Sequence, residues 1–80
     1  MNDAELREKL RVIISEVSEV DEIPDETPFK ELGIDSMMAI EIVAEVERTF
    51  KLSIPEDELR TMTHFTAVYD LVKSKLAAAA

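Results

Sequence analysis

Residues Gly33–Phe50 read GIDSMMAIEIVAEVERTF, and this stretch decides the fold. Its apolar residues return every three or four positions, the period of an α-helix, which predicts a helix from about Ser36 to Phe50 or Lys51. Projected at about 100° per residue, Ala39, Ile42, Val43, Val46 and Phe50 share one face, which is assigned to the core. Met37, Glu41, Ala44 and Arg48 fall opposite, with Ile40 and Glu47 along one edge. Met37, Ile40 and Ala44 therefore form a second apolar patch bordered by Glu41 and Glu47, the composition of a docking surface. The plainer alternative is that these three also pack inside.

Working outward, Leu6, Leu10, Ile13, Ile14 and Val17 mark one face of an N-terminal helix. Asn2 is placed to cap it, with Glu5 three residues on as in a capping box. From Ser18 to Asp35 the helical period is lost. Thr27 and Pro28 fit a cap and first helical position, Gly33 fits a C-terminal stop, and a single turn is expected over Phe29 to Leu32. Downstream, Ser53, Ile54, Pro55 and Glu56 suggest a capping box opening a short third helix over about Glu56–Arg60, with Leu59 and Met62 facing inward. Thr63 is the expected cap of a fourth helix, on which Phe65, Val68, Val72 and Leu76 share a face beside Tyr69 and Leu71. Ala77–Ala80 reads as a frayed helical end or a disordered tail. The expected architecture is all-α: a single domain over residues 1–80, a small four-helix bundle of three longer helices and a short third, with a long loop between the first two.

Composition narrows the function. The 80 residues carry 18 acids against 9 bases, a formal charge of -9, which disfavours nucleic acid and anionic membranes and favours partners with basic patches. Cysteine is absent, so neither a disulfide framework nor a thiolate metal site can form. No apolar run approaches the roughly 20 residues of a membrane span, and the N-terminus lacks the basic character of a signal peptide. The reading is a soluble, cytoplasmic, monomeric domain.

Chemistry-bearing residues are few. His64 is the only histidine and has no neighbours at metal-ligand spacing. A Ser-His-Asp triad would also need a nucleophile elbow and an oxyanion loop, and neither motif is present. Asp21, Glu22, Asp25 and Glu26 lack the central glycine and ligand spacing of a calcium loop, so no metal site is assigned. Ser36 differs from the other serines. It stands at a helix start, where free N–H groups and the helix dipole favour a phosphate. Simple N-capping by Ser36 or Asp35 is the alternative at that position.

Gly33-Ile34-Asp35-Ser36-Met37, an acidic and aliphatic helix after it, and then Ile54-Pro55-Glu56 resemble the acyl carrier protein family, whose hallmark is a Gly-x-Asp-Ser-Leu-like motif. The likeness in layout covers nearly the whole chain. It implies that Ser36 receives 4'-phosphopantetheine from coenzyme A through a separate phosphopantetheinyl transferase, which Asp35 helps to position together with its metal. It implies a carrier rather than an enzyme, holding acyl groups as thioesters for ketosynthases, acyl-transfer and other acyl-processing enzymes. The arm's own thiol would account for the missing cysteine. On the same resemblance, Met37, Ile40, Glu41, Ala44 and Glu47 meet partner enzymes. Phe29, Ile42, Val46, Ile54, Leu59, Met62, Val68 and Leu71 line a space that shelters the acyl chain, the alternative being an ordinary closed core.

Two departures bear on the pathway. Met37 and Met38 replace the usual Leu and acidic residue after the serine, and Arg48 replaces an acid of the fatty-acid-synthesis pattern. Polyketide or specialised lipid assembly is therefore as much in view as fatty acid synthesis. The reading from another class is a small acidic helical interaction module that carries no prosthetic group.

Overall fold

The computed structural model describes residues 2–79 and contains α1 (Asp3–Ser18), α2 (Ser36–Phe50), α3 (Glu56–Leu59) and α4 (Phe65–Ala79). A 3-10 turn over Phe29–Leu32 interrupts the α1–α2 connection, and no strand occurs among the described residues. This is the expected four-helix bundle. α4 continues through Ala77 and Ala78 to Ala79, while Ala80 lies outside the described residues.

The helical faces assemble one core. Leu10, Ile14, Val46, Phe65, Val68 and Val72 are its fully buried centre, each stabilising the fold by about 1.5–3 kcal/mol through removal from water. α1 packs mainly on α2 and next on α4. Thr49, near the end of α2, lines one groove with Ala4 and Glu5 at the start of α1, so these two helices run antiparallel. Asn2 caps α1: its side-chain oxygen accepts from the Glu5 N–H at 2.8 Å, and its amide donates to the Glu5 carboxylate at 3.1 Å. Across the bundle, Lys73 of α4 holds Asp3 at 3.2 Å, and that hydrogen bond raises the lysine pKa above its ordinary value.

Three expected caps are not made, and in each case a distant part of the chain intervenes. The turn at Phe29 has no side-chain cap from Thr27; its first N–H donates instead to the Thr63 carbonyl at 2.8 Å. α3 has no side-chain cap from Ser53, and the neighbouring Ile54 N–H donates to the Glu47 carboxylate at 2.8 Å. At α4, the Thr66 N–H that Thr63 was expected to cap donates to the Asp25 carbonyl at 3.1 Å, while the Thr63 hydroxyl faces His64 Nδ1 at 3.1 Å. Lys75 reaches Glu58 at 2.7 Å and so ties short α3 to α4.

The acidic connection is strapped down. Arg7 meets the Asp25 carboxylate at 2.8 Å, Arg11 bonds both that carboxylate and the Ile23 carbonyl, and Ile23 is buried. The Arg11 guanidinium lies 4.1 Å from the Phe65 ring centroid, and Arg7 lies 5.2 Å from Phe65 and 5.0 Å from Tyr69. The rings thus orient two cations that grip one loop carboxylate. Glu26 accepts from the Thr66 hydroxyl at 2.7 Å and lies 3.5 Å from His64. Asp25 and Glu26 are therefore engaged within the protein, and no metal-competent cluster occurs among the described residues.

Candidate functional site

The strapped connection delivers Ser36 to the mouth of α2. The 3-10 turn is pinned by buried Phe29 and ends at Gly33, whose φ of 83° lies in the left-handed region that glycine adopts without strain. Ile34, 5% exposed, then anchors the chain as its N–H donates to the Phe29 carbonyl at 3.0 Å. Asp35 follows in extended conformation as the N-cap of α2, and its carboxylate accepts from the Met38 N–H at 2.9 Å. The two capping options left open at this position resolve to Asp35.

Ser36 is therefore the first helical residue, exposed, with no hydrogen bond to its hydroxyl among the described residues. The N–H groups of Ser36 and Met37 likewise have no partner among those residues, since the cap serves Met38 and the helical ladder begins with Ala39 donating to Asp35 at 2.9 Å. Free donors at the positive end of a 15-residue helix suit a phosphodiester on this oxygen. Beside it lies an open groove of about 340 Å³ whose walls include Pro28, Phe29, Lys30, Ala39, Met62 and Thr63. The residues present fit a phosphate-linked arm.

Further along α2 the two faces separate. Met37 is 73% and Ile40 57% exposed, and Ala44 and Glu41 are exposed beside them. The patch faces water. Glu47 is half-buried, and its carboxylate is engaged by Ile54, so its placement serves the α2–α3 junction. On the inner face Ile42, Val43 and Val46 are buried.

Of the residues named for an acyl-sheltering space, Phe29, Ile42, Leu59, Met62 and Val68 surround a common void of only about 10 Å³. Val46 and Ile54 are buried outside its wall, and Leu71 packs partly buried at the edge of the core. A void of that size holds no more than a water, so the interior is closed. Phe29, Ala39 and Met62 line both this void and the groove at Ser36.

Two groups of contributors went unassigned in the sequence. Ile34 was visible as an aliphatic residue between a glycine and an acid, a position that a solvated loop does not require. Arg7 and Arg11 carried no signal, because charged residues between the apolar positions of a helix read as solvent-facing.

A four-helix domain that presents an exposed serine at a helix mouth beside an exposed apolar patch has the form of a carrier, in which the chemistry resides on a group attached to the domain. The family model described as a phosphopantetheine attachment site matches residues 8–73. The chain belongs to this family, the acyl carrier proteins, whose attachment domain carries 4'-phosphopantetheine covalently. A solved acyl carrier protein of Thermotoga maritima is similar with a TM-score of 0.85 at 30% identity, covering 100% of this chain and 96% of that one. Polyketide-8 synthase acyl carrier protein 2 of Streptomyces avermitilis is 36% identical over 73 residues, 88% of this chain and 84% of its own. A non-reducing polyketide synthase of Talaromyces marneffei is 37% identical over 70 residues, 85% of this chain but 3% of that protein. Against the large fungal synthases the chain thus spans a small fraction of their length.

Proposed function

We propose that the chain is an acyl carrier modified at Ser36 and serving a polyketide-type assembly. The observation that carries the reading is the exposed, unpaired Ser36 hydroxyl at the N-terminus of α2, held by the Asp35 cap and the Gly33–Ile34 anchor. In the modification step a transferase directs Ser36 Oγ to the pyrophosphate of coenzyme A. An Oγ–phosphorus bond forms, the phosphorus–oxygen bond to the adenosine bisphosphate breaks, and the serine proton leaves to a base of the transferase. The remaining Asp35 oxygen is positioned to meet the transferase and its metal.

The attached arm supplies a thiol that forms thioesters with acyl groups. The chain's own residues do the rest: the N–H groups of Ser36 and Met37 bind the phosphodiester, and the groove at Lys30 and Thr63 receives the start of the arm. Met37, Ile40, Ala44 and Glu41 present the surface to acyl-transfer enzymes and ketosynthases. Similarity to polyketide carriers, together with Met37, Met38 and Arg48 on α2, supports polyketide chemistry over general fatty acid synthesis.

Incubation with coenzyme A and a broad-specificity transferase, followed by intact mass measurement, tests the attachment. One phosphopantetheine per chain is expected, and none for Ser36→Ala. Modification of Ser36→Ala, or none of the unaltered protein, sinks the reading. Mass profiling of thioesters on carrier isolated from its native cell tests the pathway: β-keto intermediates longer than one extension are expected, and saturated chains alone would reject the polyketide assignment.

A further inference from the structure

We propose a second docking surface on α1, centred on Val12, whose occupant is a basic amphipathic helix of a partner protein. Among the described residues the exposed large hydrophobics are Met37 and Ile40 on α2 and Val12, 42% exposed, on α1. Val12 forms a ridge between two grooves. One, of about 550 Å³, follows the α1–α2 seam over Ala4, Ile13 and Thr49; the other, of about 330 Å³, runs over Ser15 to Ile23. The first is an apolar seam of the kind that receives the apolar face of a helix, and the second, walled mainly by polar side chains, frames it with charge.

Charge selects the occupant. Glu5 and Glu8 line the first groove, Glu8, Glu16 and Asp21 the second, and none of the four forms an ion pair among the described residues. Of the two cations in these walls, Lys9 stands with Glu5 and Glu8 in the first groove, while Arg11 in the second is already bound to Asp25 and the Ile23 carbonyl and leaves Glu8, Glu16 and Asp21 unanswered there. A partner segment with lysine or arginine flanking its apolar residues complements this frame. A second copy of the chain, itself at -9, and an anionic lipid surface are both repelled.

The surface also lies away from the attachment point. Thr49 is 13 residues beyond Ser36 on α2, roughly 20 Å along the axis at the α-helical rise. A helix seated at Val12 therefore leaves Ser36 and the Met37–Ile40 patch free. The domain can be held by one protein while another handles its cargo.

The test uses the unmodified full chain, so it stands or falls independently of attachment at Ser36. The probe is a synthetic peptide of about four helical turns with leucine on one face and lysine on the other, titrated at low salt while backbone amide shifts are followed. The largest shifts are expected at Ala4, Val12, Ile13 and Thr49. Val12→Gln, neutral and helix-compatible, is expected to weaken binding about fivefold to tenfold through lost apolar contact. Glu8→Lys and Glu16→Lys should weaken it in a salt-sensitive way, and Ile40→Gln should leave it unchanged. Thermal melts confirm that each variant is folded. Shifts centred on Met37–Ala44, affinity indifferent to Val12→Gln and both charge reversals, or concentration-dependent shifts in the chain without peptide would each overturn the proposal.

Discussion

Asp25 in the α1–α2 connection and Glu41 on α2 are both carboxylates on the surface of an acidic protein, yet their surroundings give them opposite duties. Asp25 sits where two arginines are braced on Phe65 and Tyr69, so its charge is answered within the chain. Glu41 lies beside Met37 and Ile40 and forms no ion pair among the described residues. The lesson concerns where charge points. Net acidity alone does not single out a candidate partner surface; carboxylates that lack internal cations beside exposed apolar groups do, and the proposed docking role of Glu41 rests on that.

The largest effect expected from breaking this contrast is at Phe65. Phe65→Ala removes a fully buried ring and the platform beneath both arginines, and should cost about 3–5 kcal/mol in chemical denaturation. Amide exchange should also quicken over Ile23–Glu26, far from Phe65 in sequence. Unchanged exchange there would show that the strap does not depend on the ring.

Asp25→Asn gives the next effect. The hydrogen bond from Arg11, aided by the charge of Arg7, holds the Asp25 pKa below its ordinary value despite some desolvation. A depressed carboxylate pKa contributes stability that is present above about pH 4, the unfolded value, and is lost as pH falls through the folded value. The melting temperature of the unaltered protein should therefore drop below about pH 4, and Asp25→Asn should melt lower at neutral pH with a shallower acid decline. Equal acid slopes for the two proteins would remove Asp25 from the strap.

Gly33→Ala sharpens the comparison at the boundary between strap and helix. An added Cβ meets open space, so the cost is conformational, about 1 kcal/mol for the left-handed backbone. Smallest in stability is Glu41→Lys, expected within about 0.5 kcal/mol. Its effect should appear in transfer to partner enzymes, slowed several-fold at low salt and less as salt rises. Equal loss at all salt concentrations would point to lost shape rather than lost charge.

The sequence made the helices legible because burial imposes a period, and the faces of α1, α2 and α4 follow it. The helix start at Ser36 was legible because a glycine stop at Gly33 and an acid at Asp35 precede it. The Asn2 cap was legible too, and Asp35 was one of two options, but the caps expected of Thr27, Ser53 and Thr63 were not made, for a reason the three share. Each is chemically able to bond a nearby N–H, but Thr63, Glu47 and Asp25, brought from elsewhere by the fold, hold N–H groups in those segments. The reading of Glu47 as a rim residue met the same limit. Its one-dimensional neighbours are helical, while the Ile54 N–H it holds is seven residues away.

The void of about 10 Å³ behind Met62 and Phe29 leaves the interior closed, so any guest would have to open it. A chain entering from the groove has first to part these walls, at the 1–3 kcal/mol or so that overpacking costs, against about 0.8 kcal/mol gained per buried methylene. On the proposed carrier reading, acyl groups of one or two carbons gain no more than about 1.6 kcal/mol, which does not clear the upper part of that cost, and they are expected to stay in solvent. Saturated tails of about four or more carbons exceed the cost and are expected to withdraw on the proposed carrier reading, which amide shifts at Leu59 and Met62 that change with tail length would check.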